Sequence, residues 1–96
     1  SAMEAAFREN VTDEHCERAN QRRGRYFDLK ARIEAAFDPR NQMLSRNRDA
    51  GVYKAADAVR TRGNKAVHYQ VDVTKDVLGT IKNTLLVINA LYTMPS

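Results

Sequence analysis

The stretch Thr74-Lys-Asp-Val77-Leu78-Gly-Thr-Ile81-Lys82-Asn-Thr-Leu85-Leu86-Val87-Ile88-Asn-Ala90-Leu91-Tyr92-Thr93 decides the fold class. Val77, Ile81, Leu85, Ile88 and Tyr92 recur at three- and four-residue spacing, the period of one face of an α-helix. Leu78, Leu86, Val87 and Leu91 widen that seam. Asp72 or Thr74 can cap the start, and Asp76 lies in the first turn, where the helix dipole favours an acid. An apolar surface this broad predicts a helix over 74–93 with one side in the core and another against a second copy of the chain. From residue 77 to the end there is one charge, Lys82, whereas residues 1–48 hold ten basic and eight acidic side chains. The N-terminal half therefore reads as solvated helix surfaces and linkers packed around the last helix.

Working backwards, Val52, Ala56, Val59, Gly63 and Ala66 or Val67 form one stripe and predict a helix over 50–69. Gly63 is expected to kink it or to end its first segment. Tyr26, Leu29, Ile33 and Phe37, with Ala36, predict a helix over 26–37. Pro39 ends it, because its ring clashes with a continuing helix and pushes the preceding residue to extended geometry. Residues 38–49, rich in Asn, Arg and Asp, read as a loop. A peripheral helix over 12–23 is expected, with Thr12 as cap, Asp13 and Glu14 in its first turn, and a stop near Gly24. Ser1-Ala2-Met3 reads as a remnant ahead of a native start and receives no structural weight. The expectation is an all-α fold, a compact bundle of three to four helices in a single domain over 1–96.

Composition narrows the class. Hydrophobic residues at 43% exclude a disordered chain, and four Gly with two Pro leave too few turns for an all-β fold. The single cysteine, Cys16, excludes an internal disulfide and fits a reducing interior. No apolar leader segment precedes the first charges, and the apolar run Leu85–Leu91 is far short of the ~20 residues that span a bilayer. A cytoplasmic protein with no membrane contact is expected. A net charge of +4 mildly favours an anionic partner such as nucleic acid.

The residues able to carry chemistry lie in Arg60-Thr-Arg62-Gly63-Asn64-Lys65-Ala-Val67-His68. On a helix Arg60, Asn64 and His68 stack one turn apart, a polar ladder beside the apolar stripe. Arg62 and Lys65 point elsewhere on a continuous helix, and Arg62 swings towards His68 only if Gly63 breaks it. Such a ledge suits metal-free work on a phosphodiester. His68 can exchange a proton near neutral pH, an Arg can hold the non-bridging oxygens, and Asn64 can orient either. With RNA, the substrate's own 2′-hydroxyl can serve as nucleophile. The structural reading of the same residues is that Arg60 pairs with Asp57 or Glu34, Asn64 satisfies a carbonyl, and His68 favours a helix end.

The run Val59-Arg60-Thr61-Arg62-Gly63-Asn64-Lys65-Ala66-Val67-His68, followed by an apolar helix closing on Ala90-Leu91-Tyr92, resembles the DUF4145 family. In that family a helix ends in Arg-x-x-Gly-Asn-x-x-x-His and the last helix closes on Leu-Tyr. The family belongs to the HEPN-like group of helical bundles, and the resemblance covers about residues 50–94. It implies either of two roles. Active members are metal-independent endoribonucleases that act as dimers, with Arg and His from both copies meeting at the interface. Others serve as binding or toxin-neutralising modules in prokaryotic defence systems. Active members leave four to six residues between Arg and His. Arg62 and His68 leave five, Arg60 leaves seven, and Gly63 stands where a polar residue usually follows the Arg. The catalytic candidates are thus Arg60, Arg62, Asn64 and His68. Arg22, Arg23, Arg25 and Lys65 are candidates for RNA backbone contact, and a homodimer through the last helix with an RNA or protein partner is expected. No cofactor or metal is expected, because His15 and Cys16 are adjacent and no other pair has zinc-ligand spacing.

Overall fold

A computed structural model describes residues 1–20, 26–69 and 77–95, residues 65–69 by their backbone alone. Its described residues form α1 (Ala2–Asn10), α2 (Asp13–Asn20), α3 (Leu29–Ala36), a 3-10 turn (Pro39–Asn41), α4 (Ala50–Tyr69) and α5 (Val77–Tyr92), and no strand is found among them. The all-α bundle follows from these elements.

The first helix lies where none was expected. Met3, Ala6, Phe7 and Val11 share one face at three- and four-residue spacing, and all four are buried. The Ser1 hydroxyl accepts from Glu4 N–H at 3.3 Å and caps the first turn. Ser1-Ala2-Met3 is thus part of the fold, and Met3 is a core residue. The chain leaves α1 at Val11, which is extended, and Thr12 opens α2. Its hydroxyl accepts from His15 N–H, and the His15 ring accepts from Thr12 N–H at 3.0 Å. This reciprocal arrangement resembles a capping box, with His in place of Glu or Gln. Only Cys16 of α2 is buried, and burial pushes its thiol pKa up.

The expected helix over 26–37 begins later, at Leu29. The Asp28 carboxylate accepts from Ala31 N–H at 2.9 Å while its own backbone is extended, so Asp28 is the cap. Tyr26 falls outside the helix and is 76% exposed, not part of a buried stripe. Arg32 is the one charged side chain among the buried residues that the structure describes. It donates to Val11 O at 2.7 Å and Asp13 Oδ1 at 2.8 Å, tying the α1–α2 junction to α3. Phe37 ends α3, and Pro39 starts the 3-10 turn, as its fixed φ dictates.

Residues 38–49 are more ordered than a bare loop. Asn41 donates to His15 O and Ala35 O, Leu44 N–H returns to Ala36 O, and the Asp49 carboxylate accepts from Ser45 N–H. Phe37 meets Tyr53 edge to face at 5.0 Å. α4 then runs unbroken to Tyr69, so Gly63 does not end it. Ala55 and Ala56 are buried on its inner face, which lets α4 approach its neighbours closely.

α5 divides its apolar surface between core and exterior, as expected, but unevenly. Val87 and Leu91 are its only described buried residues, flanked by half-buried Thr80, Asn83, Thr84 and Ala90. At about 100° per residue these lie on one face, and Leu78 and Leu85 lie well round the helix from it. The seam that dominates the sequence is therefore largely turned outward. Val77, Leu78, Ile81, Leu85, Leu86 and Tyr92 are all exposed, with Leu78 at 82% and Leu85 at 61%. Only Ile88 of the seam packs against the core. The core itself gathers Met3, Phe7, Val11, Val87 and Leu91. No helix among the described residues is long and apolar enough to cross a membrane.

Candidate functional site

Because α4 is continuous, Arg60, Asn64 and His68 fall on successive turns, as their spacing requires. The side chains of Lys65 and His68 lie outside the described residues, as do Arg22, Arg23 and Arg25. Arg60 is mostly buried and donates to Asp57 Oδ1 at 3.0 Å, one of the two structural partners expected for it. The other, Glu34, is engaged elsewhere.

Arg60, Arg62, Gly63 and Asn64 line one cavity of about 610 Å³. Arg62 also lines it, although on the unbroken helix it stands off the Arg60–Asn64 ledge. Met3 and Glu4 of α1 form a second wall, and Tyr26, Asp28, Leu29 and Lys30 form a third. Thr80 is the residue that α5 contributes. Tyr26 and Lys30 come from one part of the chain and Thr80 from another, and no local motif marks them.

The electrostatics of this cavity are mixed. Lys30, Arg60 and Arg62 face Glu4 and Asp28, and Arg60 is already held by Asp57. Arg8 stands beside the rim, donating to the Tyr26 hydroxyl at 2.6 Å with its guanidinium 5.6 Å from the ring centre. A phosphate site usually converges cations without interleaved carboxylates. A Cβ placed at Gly63 would meet nothing within 4 Å, so no close packing among the described residues requires glycine there.

A second cavity, about 740 Å³, lies between the end of α2, α3 and residues 42–48. Its arginines are occupied. Arg46 pairs with Glu34 and stacks over the Tyr53 ring at 4.2 Å, and Arg48 pairs with Asp49 at 2.9 Å. Tyr53 donates to Glu34 Oε1 at 2.5 Å; that bond, then burial, pushes its hydroxyl pKa up. Among the described residues no three His, Cys, Asp or Glu side chains gather as a metal site.

The remaining feature is the outer face of α5. Five exposed large apolar side chains share it, Val77, Leu78, Ile81, Leu85 and Tyr92, and present on the order of 500 Å², within the range of the largest patch a monomer normally leaves contiguous. That is over half of the roughly 800 Å² each partner contributes to a standard protein interface. Lys82 is the one charge on the helix. At the far end the Tyr92 hydroxyl donates to Glu9 Oε2 at 2.7 Å, which fixes α5 against α1 and pushes the Tyr92 pKa up.

No family model, curated protein or solved structure matches the chain.

Proposed function

We propose that the chain is a non-catalytic helical assembly module that forms a homodimer through the outer face of α5. The observation that carries this reading is the exposed apolar seam of Val77, Leu78, Ile81, Leu85 and Tyr92. A second copy is the occupant best matched to it. An identical uncharged seam needs no new charge paired or desolvated, and a self-complementary patch closes a two-fold dimer. In this reading Asp57 holds Arg60 as a structural side chain, in keeping with the non-catalytic members of the HEPN-like bundles that residues 50–94 resemble. The α5 residue lining the cavity is Thr80, well round the helix from Leu78 and Leu85. A dimer made through the seam therefore leaves the two Arg60–Asn64 cavities away from its centre. Its place would be within a defence or toxin-type assembly, binding a protein or RNA partner through its other surfaces. Co-purification of two differently tagged copies tests the dimer. Recovery of both tags on either resin is expected, and strictly separate recovery would overturn the proposal.

A second reading is favoured by one observation, the shared cavity of Arg60, Arg62 and Asn64. In it the chain is a metal-independent endoribonuclease with His68 as general acid and base and an arginine on the phosphate. Incubation with RNA in EDTA, beside His68→Ala, separates the two. Cleavage that disappears in the variant supports catalysis, and no cleavage by either protein leaves the assembly module.

A further inference from the structure

We infer that two α5 helices pair antiparallel, with the two-fold axis near Leu85 and Leu78 beneath the partner's Tyr92. This rests on the reading of α5 as the dimer surface and adds its orientation. Leu78, Ile81, Leu85, Ile88 and Tyr92 are spaced three, four, three and four residues apart, a two-heptad seam suited to another helix of like spacing. Both orientations satisfy that spacing, so the choice falls to the ends of the helix.

The ends differ in what they present: Leu78 is 82% exposed, whereas Tyr92 is 52% exposed and its hydroxyl is bonded to Glu9 of α1. A parallel pair sets two Leu78 side chains together at one end and two Tyr92 side chains, each with its Glu9, at the other. An antiparallel pair sets each Leu78 beside a Tyr92, and the contact is even along its length.

Charge points the same way. A parallel pair brings both Glu9 carboxylates to one end of the interface and sets both Lys82 ammoniums at one level. An antiparallel pair separates the Glu9 groups by about 20 Å, given the 1.5 Å rise per residue, and opposes the helix dipoles. It also places exposed Lys82 beside the partner's Asn89, whose side-chain oxygen can accept from the ammonium. Because Lys82 and Asn89 lie on the same edge of the seam, that pair forms twice, as an isologous contact demands. Lys82 and Asn89 are thus the orientation-setting residues within an otherwise apolar strip.

Cys16 is fully buried, so an engineered surface cysteine is the only accessible thiol in each chain. Three samples are treated with a thiol crosslinker of about 10 Å reach: Leu78→Cys, Tyr92→Cys, and an equimolar mixture of the two. Positions 78 and 92 on neighbouring parallel helices are about 20 Å apart along the axis, beyond that reach. The antiparallel dimer gives covalent product only in the mixture. Product in either single sample overturns the orientation while preserving the dimer, because like positions meet only in a parallel pair. Absence of product in every sample, with Leu85→Cys also silent, overturns the dimer itself. Far-ultraviolet circular dichroism of each variant verifies that the bundle remains folded.

Discussion

Replacing Leu85 by Gln should weaken self-association without unfolding the monomer. Leu85 is 61% exposed in the isolated chain, so the fold draws little on it, and Gln has nearly the helix propensity of Leu. Burying a whole leucine side chain is worth about 1.5–3 kcal/mol, so covering the exposed part contributes about 1–2 kcal/mol per copy. A symmetric dimer buries two copies, and loss of both amounts to roughly 2–4 kcal/mol, or about a 30- to 700-fold rise in Kd. Dilution calorimetry measures this directly, as the heat of dimer dissociation against concentration. A Kd within about threefold of the unmodified protein, with thermal stability unchanged at low concentration, would refute the assignment of α5 as the interface.

Four further outcomes follow from single features of the fold. Gly63→Ala should raise stability by about 0.5–1 kcal/mol, because a Cβ meets nothing within 4 Å and the site is mid-helix; a loss in thermal denaturation would show that the backbone there is not ordinary helix. Arg32→Met should cost about 1–3 kcal/mol by leaving Val11 O buried without its donor, while Asp13, largely exposed, is hydrated again; urea unfolding reads this, and a neutral result would contradict the role given to Arg32. Acid should destabilise the 38–49 segment. Hydrogen bonds from Arg40 and Arg48 hold the Asp38 and Asp49 carboxylates below their usual pKa, so their stabilisation is complete above about pH 4 and is lost as pH falls through the lowered values. Protection of the Arg40 and Ser45 amides, whose N–H groups donate to these carboxylates, should fall in that window relative to the intrinsic exchange rate at each pH, and unchanged protection would count against the capping. Finally, Leu78→Gln should act like Leu85→Gln, whereas Thr80→Val, which lies on the cavity side, should leave Kd unchanged; equal effects of the two would mean that the interface is not the seam.

Helical class, the stop at Pro39 and the long helix over 50–69 were legible because each rests on local rules: apolar period, proline sterics and spacing. α1 was not. Met3, Ala6 and Phe7 carry the right spacing, yet a nine-residue helix is marginal alone and forms here by packing on α5 and α3. For α5 the period identifies a helix but not its rotation. Two apolar sectors compete, and the one that wins the core is the narrower, because Thr80, Thr84 and Ala90 beside Val87 and Leu91 allow close approach. Of the candidate site, the Arg60–Asn64 ledge was legible from four-residue spacing. Its opposing wall was not, since Tyr26, Lys30 and Thr80 reach it through tertiary packing that no local pattern encodes. Nor did sequence foresee that Arg62 would line the cavity on an unbroken helix.

The most direct test of the account is the mass of the intact protein in solution, by light scattering on a sizing column over a range of concentrations. The chain mass is 10.9 kDa. Self-association through α5 predicts a species of twice that mass, and its reversion to the single-chain mass on Leu78→Gln with Leu85→Gln. A constant single-chain mass at every concentration up to the order of 100 μM, where even a weak specific interface of this size is populated, would contradict it.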